Sequence, residues 1–369
     1  MKTRAGVLWS QDKNWETMEL DLDPPKEHEA LIHFTASGLC HTDEHMRHGD
    51  LGPIRLPIVG GHEGAGIVEE VGSGTTRVKV GDHVVCSFVP ACGLCRYCLT
   101  GRTNLCDWGA LLLGGTLPDG TFRFHSNGTD ISSTFMLGTF SEYAVVHQNS
   151  IAKVDDDVNL ETAALVGCGV PTGWGSAVYV AKVEPGETVV IYGTGGVGMN
   201  AVQGARYAGA KNIVAVDPLA YKREVAETFG ATHTCATVAE AHEVVTQLTR
   251  GEMAEKAIIT VDVVPEDVVN GAVDVVGKDG VVVLTGVAGP EKKYVNMTGF
   301  WLTVFQKTIK GALFGGCNPL YDIPRLLDLH RAGQLKLDEL VTRRYTVEQI
   351  AMAYQDLAEG KNIRGLVVY

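Results

Sequence analysis

A chain of 369 residues with 45% hydrophobic and 20% charged residues can bury more than one sizeable core, so a globular two-domain protein is expected. The net charge of −13, without a basic tract, argues against nucleic acid or an acidic membrane surface as partner. The first ten residues, Met1 to Ser10, hold no apolar core long enough for a signal peptide, so a cytoplasmic location is expected.

Residues 1 to about 150 are rich in glycine, valine and short alternating runs. The segments 30–36, 66–71 and 82–86 read as strands, separated by turns such as Gly72-Ser73-Gly74. This predicts a β-rich domain. From about 170 the pattern changes to apolar runs alternating with helical stretches, with strands expected at 188–192, 213–216, 257–261 and 281–284. That rhythm predicts α/β architecture with a doubly wound parallel sheet. Helices are expected near 323–331 and 347–359, and a strand at 365–369. The uncharged stretch Ala163 to Ala181 approaches the length of a membrane span, but Pro171 and four glycines break it, so it reads as a buried domain junction.

Within the α/β half, Gly193-Thr194-Gly195-Gly196-Val197-Gly198 follows the apolar run Thr188 to Tyr192 and opens a helix at Met199. A second strand ends on Asp217, 19 residues after Gly198. A glycine triplet alone is weak. Between a strand and a helix, with an acid at that distance, it matches the dinucleotide fingerprint. The helix N-terminus supplies partial positive charge to a pyrophosphate.

Four of the nine cysteines crowd into Cys92-Gly93-Leu94-Cys95-Arg96-Tyr97-Cys98 and Cys106. Four soft ligands at that spacing suit a closed tetrahedral zinc site, which staples a loop and leaves no position open for chemistry. A second constellation is dispersed: Cys40 before His41-Thr42-Asp43-Glu44-His45, then His62-Glu63, then Cys168 between two glycines. Two thiolates, an imidazole and an open position would make a catalytic zinc site. Residue types alone do not select these three from twelve histidines and nine cysteines.

Taken together and in order, these motifs resemble the zinc-dependent alcohol dehydrogenases of the medium-chain dehydrogenase/reductase superfamily. The likeness runs end to end: Gly38-Leu39-Cys40-His41-Thr42-Asp43, Gly61-His62-Glu63, the four-cysteine loop, Gly167-Cys168-Gly169, the glycine turn and Ile363-Arg364. The long segment Trp108 to Phe140 is similar to the liver-type branch, which includes formaldehyde-handling and nicotinoprotein members. The resemblance implies a β-rich GroES-like catalytic domain from residues 1–169 and 314–369, and a Rossmann domain from 170–313, with the active site in the cleft between them.

It further implies that Cys40, His62 and Cys168 bind a catalytic zinc, and that Cys92, Cys95, Cys98 and Cys106 bind a structural one. Zinc would acidify the bound alcohol, and hydride would pass to NAD. Thr42 matches the hydroxyl that accepts the alcohol proton. His45 matches the end of the relay to solvent. Asp43 would fix the His62 tautomer, and Glu63 would lie beneath the metal. Asp217 would bind the adenosine ribose and favour NAD over NADP, with Lys222 beside it and Arg364 on the pyrophosphate. Thr172 and Val287 complete the implied cofactor contacts. His41 stands where many liver-type members carry arginine; being less often charged at pH 7, it should loosen the cofactor. Phe88 and Trp108 are candidates for the substrate channel.

The expected activity is reversible oxidation of a small-molecule alcohol to an aldehyde or ketone, by a homodimer or homotetramer. The alternatives are a nicotinoprotein that keeps NAD(H) bound, a formaldehyde dehydrogenase acting on a thiol adduct, and a non-catalytic protein retaining the fold.

Overall fold

The computed structural model describes residues 1–286 and 299–369; the expected cofactor contact Val287 lies outside them. The chain divides into two compact units, Met1–Cys168 with Asn318–Tyr369, and Gly169–Cys317.

The first unit contains a small closed barrel and a seven-stranded sheet. The barrel runs Lys2–Leu8, Glu16–Leu22, Phe124–Ser126, Thr129–Ser133 and Ile58–Val59. In Lys2–Leu8 burial alternates at the start and becomes continuous from Ala5, while in Glu16–Leu22 only Leu20 and Leu22 are buried, in alternation with exposed acids, as expected where one strand face meets a core. The larger sheet has the order Ile151–Lys153, His83–Ser87, Glu63–Val71, Glu29–Gly38, Arg364–Val368 and Val341–Tyr345, with Tyr143–His147 also paired to Glu29–Gly38. The strand expected at 365–369 is Arg364–Val368, between Glu29–Gly38 and the edge strand Val341–Tyr345. It brings the C-terminal segment beside Glu29–Gly38, with Leu366 opposite Gly38.

The second unit is a six-stranded parallel sheet in the order His233–Cys235, Asn212–Val216, Thr188–Tyr192, Ala254–Ile259, Val276–Leu284 and Thr308–Gly311. Numbered along the chain, that is 3-2-1-4-5-6, the order of dinucleotide-binding sheets. Every residue of Thr188–Tyr192 is buried, which explains a run with no polar alternation. The strand expected at 257–261 starts three residues earlier, at Ala254, and stops at Ile259.

The helix expected from 323 begins at Pro319, capped by the Asn318 side chain on the Leu320 N–H. The helix expected from 347 opens with a single tight turn, Val347–Gln349, closed by a Thr346–Gln349 capping box, before Ile350–Ala358. Among the described residues no single helix is long and apolar enough to cross a membrane.

Candidate metal and cofactor sites

Sheet register assembles the dispersed constellation. Ser37 pairs with Gly64, Glu63 with Ser87, and Leu366 with Gly38. Cys40 just past one strand, His62 and Glu63 at the start of the next, and Arg364 at the start of a third therefore meet at one end of the sheet. Cys168 follows the turn Ala164–Gly167, and Gly167 packs against the Cys86 carbonyl on the adjoining strand. The donor atoms of Cys40, His62, Glu63 and Cys168 all lie within 4.8 Å of one another.

The surrounding groups hold this cluster in place. Asp43, fully buried in the helix His41–His48, accepts the Gly61 N–H at 2.9 Å and places Oδ2 3.0 Å from His62 Nδ1. It thus ties the helix to the loop that carries His62. Thr42 Oγ1 is 3.4 Å from the Cys40 sulfur. The Arg364 guanidinium, also buried, pairs with Glu63 Oε2, while Glu63 Oε1 has no hydrogen-bond partner. Phe88 and Phe135 set their ring edges against His62, at centroid distances of 5.7 and 5.3 Å.

The electrostatics are those of a crowded, dry donor set. The hydrogen bond with Cys168, aided by His62 and Arg364 and opposed by burial, holds the Cys40 thiol well below its ordinary pKa. The same contact, with burial, pushes Cys168 well above it. Burial would lower His62, but the Asp43 and Cys40 charges outweigh it and carry its pKa well above 6.5. Burial also pushes the Glu63 carboxyl up to about 7, against the pull of Arg364. A dication held here would stabilise both thiolates at once. Two sulfurs, one imidazole and an unpartnered buried carboxylate oxygen fit zinc.

Cys92, Cys95, Cys98 and Cys106 also converge within 4.8 Å, and none of the nine cysteines forms a disulfide. Backbone N–H groups of Leu94 and Cys95 point at the Cys92 sulfur, that of Cys98 at Cys95, and that of Cys92 at Cys106, at 3.4 to 3.5 Å. Leu94 and Leu99 in this loop are exposed, so it has little apolar core of its own and needs another staple. Four sulfurs ringed by N–H donors fit a closed zinc site.

In the second unit, the glycine turn joins the buried strand Thr188–Tyr192 to the helix Gly196–Tyr207, with Gly195 at its N-cap. A Cβ on Gly198 would overlap the Gly193 carbonyl oxygen, so the helix can approach the strand only with glycine there. Asp217 is brought to this turn. Its Oδ2 accepts the Thr194 N–H at 2.9 Å, and its Oδ1 accepts that of Leu219 at 3.0 Å. Lys222 lies on the following helix, Ala220–Phe229. Thr172 lies on the helix Gly169–Gly175, where Gly173 packs against Val197 of the turn. His41 opens the helix that carries Thr42, in the first unit.

Three placements were not readable from sequence. Phe135 reaches the metal cluster from a single tight turn in the long 108–140 segment, with φ +50, and no periodicity announces it. Trp108, a candidate for the substrate channel with Phe88, sets its ring at 62° to that of His147, with centroids 4.9 Å apart. His45, expected at the end of the proton relay, is 6% exposed.

Comparison with known proteins agrees with this geometry. A family model described as Alcohol dehydrogenase GroES-like domain matches residues 26–156, and one described as Zinc-binding dehydrogenase matches 196–331. The chain is 59% identical to the NDMA-dependent alcohol dehydrogenase of Amycolatopsis methanolica, over all of this chain and 99% of that one. It is 45% identical to alcohol dehydrogenase B of Mycobacterium tuberculosis, again over all of this chain and 99% of the relative. Among solved structures, benzyl alcohol dehydrogenase from Acinetobacter calcoaceticus superposes with a TM-score of 0.91 at 29% identity, covering 100% of this chain and 99% of that one. The chain belongs to the zinc-dependent alcohol dehydrogenases of the medium-chain dehydrogenase/reductase superfamily, with a GroES-like catalytic domain and a Rossmann-type domain. It is an oxidoreductase of that class.

Proposed function

We propose that this enzyme oxidises an alcohol to an aldehyde or ketone with an NAD(H) that stays bound and is reoxidised in place by a second substrate or acceptor. The oxidation rests on one observation: a buried cluster of two sulfurs and an imidazole, with the Thr42 hydroxyl at its edge. Retention of the cofactor rests on whole-length similarity to a relative named NDMA-dependent.

Cys40, His62 and Cys168 would hold one zinc, and Cys92, Cys95, Cys98 and Cys106 another. When bound, the first zinc polarises the alcohol oxygen and the NAD accepts the hydride. The chain's own residues do the rest. Thr42 takes the hydroxyl proton and His45 carries it onward. Asp43 keeps the His62 ring turned toward the metal position. Glu63, balanced by Arg364, adds a buried carboxylate, one oxygen of which lies within 4.8 Å of the other donors. The glycine turn and Asp217 bind the dinucleotide, with NAD favoured over NADP because a 2′-phosphate would meet the Asp217 carboxylate. His41 supplies less charge than arginine, so retention depends on other contacts. A cytoplasmic homo-oligomer completes the reading.

The test is to heat the purified enzyme and assay the clarified supernatant. About one NAD(H) per chain is expected, together with alcohol oxidation that needs NDMA but no added NAD. An empty supernatant and an absolute requirement for added NAD would leave a dissociable coenzyme. A requirement for added thiol in formaldehyde oxidation would point to adduct chemistry instead.

A further inference from the structure

Gly93 follows Cys92 in the four-cysteine loop, and a Cβ built on it would come 3.6 Å from Arg77 Nη2. The Arg77 guanidinium, from a segment outside the loop, thus lies against the backbone that carries the sulfurs. One tight turn, Gln148–Ser150, fixes both sides of this approach. Gln148 Oε1 accepts the Thr76 N–H at 2.9 Å and the Arg77 N–H at 3.2 Å, and the Asn149 carbonyl accepts the N–H of Ala91, the residue before Cys92, at 2.7 Å. Gln148 and Asn149 are buried, and Val78, next to Arg77, belongs to the core of this unit. Arg77 Nη1 is buried without a hydrogen-bond partner, and among the described residues no carboxylate pairs with the guanidinium. Burial pushes the Arg77 pKa down, against the opposing pull of Cys92, Cys98 and Cys106. The loop's own cations are exposed: Arg96 faces solvent, and Arg102 donates to the Thr100 hydroxyl at 3.3 Å with its guanidinium 5.2 Å from the Tyr97 ring centroid.

We infer that Arg77 is the counter-charge of the four-cysteine set, and that it helps to retain zinc there by offsetting the negative charge that four thiolates leave around one dication. This rests on the reading of Cys92, Cys95, Cys98 and Cys106 as zinc ligands. Thiols give up their protons to bind zinc, so the loaded set carries a net charge of about −2. At neutral pH most of the emptied sulfurs take protons back from water and lose that charge. A fixed cation beside the set therefore favours the loaded state over the empty one. Arginine keeps its charge throughout, so the effect needs no titration of its own. The half-buried guanidinium acts through a medium that screens it less than water screens Arg96 or Arg102. Its unpartnered Nη1 costs stability, which a residue kept for packing alone would not need to bear.

The experiment compares wild type, Arg77→Met, Arg77→Gln, Arg77→Lys, Cys95→Ser and Arg77→Met/Cys95→Ser as purified holoenzymes. Each is incubated with EDTA at neutral pH, and zinc per chain is followed by metal analysis. Cys95→Ser should start one zinc below wild type, which identifies the metal of the four-cysteine set. Arg77→Met and Arg77→Gln should start at the wild-type content and lose that zinc about tenfold faster, in the range seen when a group behind a metal ligand is removed. Arg77→Lys, which keeps the charge, should release it at a rate near wild type. Melting temperatures in excess zinc should be alike in all three Arg77 variants and wild type, which separates loss of charge from a folding defect. In Arg77→Met/Cys95→Ser the remaining zinc should leave at the Cys95→Ser rate. A Cys95→Ser protein with the wild-type zinc content would overturn the four-cysteine zinc, and Arg77 with it. With Cys95→Ser one zinc short, wild-type release from both neutral variants would overturn the role of Arg77 alone. So would release from Arg77→Lys as fast as from Arg77→Met, since charge would then not be the cause.

Discussion

Cys40→Ser should lose the metal of the Cys40–His62–Cys168 cluster and at least a thousandfold in kcat/KM, with the fold intact. Serine at this position replaces a soft thiolate by a hydroxyl that stays protonated, leaving one sulfur and one imidazole. Polarisation by a bound metal supplies several kcal/mol to the barrier. At about 1.36 kcal/mol per factor of ten, losing about 4 kcal/mol costs about three orders of magnitude. Structural collapse is not expected to mimic this loss. Cys40 is the N-cap of the helix His41–His48 and makes no side-chain capping bond, whereas serine is among the preferred caps. The control is Cys86→Ser, one strand away. The Cys86 thiol is buried, pushed up to about 12 by that burial, and outside the donor cluster. Metal analysis should show Cys86→Ser fully loaded and active, with a lowered melting temperature. Turnover of Cys40→Ser within tenfold of wild type, with full metal content, would remove Cys40 from the site.

The contrast between the two donor clusters explains what was legible. Cys92, Cys95, Cys98 and Cys106 are neighbours in sequence, so their spacing alone announced a tetrahedral site. Cys40, His62 and Cys168 span 128 intervals of chain, and only strand register brings them together. Register is set by pairing between segments far apart, which local periodicity does not encode. The family resemblance supplied the choice of residues; the sheet supplies the reason. The cofactor half was more transparent, because each element there is local. A fully buried strand reads as an unbroken apolar run, and the turn after it demands glycine at Gly198. The closed barrel was not foreseen as such, since strands as short as Ile58–Val59 and Phe124–Ser126 carry too few residues to show a period. His45 was found by motif, but its burial and its partner Asp50 depend on the direction taken after Gly49.

Arg123→Met should destabilise the first unit by roughly 3–5 kcal/mol, and Glu29→Leu by a similar amount. The Arg123 Nε donates to Glu29 Oε2 at 2.9 Å and Nη2 to Oε1 at 2.5 Å, with the two side chains 1% and 2% exposed. Arg123 also donates to Asp119 and to the Phe122 carbonyl, both at 2.9 Å, and Glu29 accepts the Lys26 N–H at 2.8 Å. Removing Arg123 leaves the buried Glu29 carboxylate with only the Lys26 N–H, and removing Glu29 leaves the Arg123 guanidinium with the half-exposed Asp119, so breaking the pair costs more than the pair itself contributes. The double variant Glu29→Leu/Arg123→Met should therefore be more stable than either single one. The pair matters to the site because Glu29 opens the strand Glu29–Gly38, and Cys40 follows the other end of that strand. Arg123 stands next to the barrel strand Phe124–Ser126, so the bond pins barrel to sheet at the start of the strand that leads to Cys40. Urea titration followed by tryptophan fluorescence, with zinc content measured below the transition, separates the effects. The expected result is a lowered first midpoint with metal retained in native buffer. A double variant whose loss equals the sum of the two single losses would show that the two charges are independent, and that the ion pair is not what holds this strand.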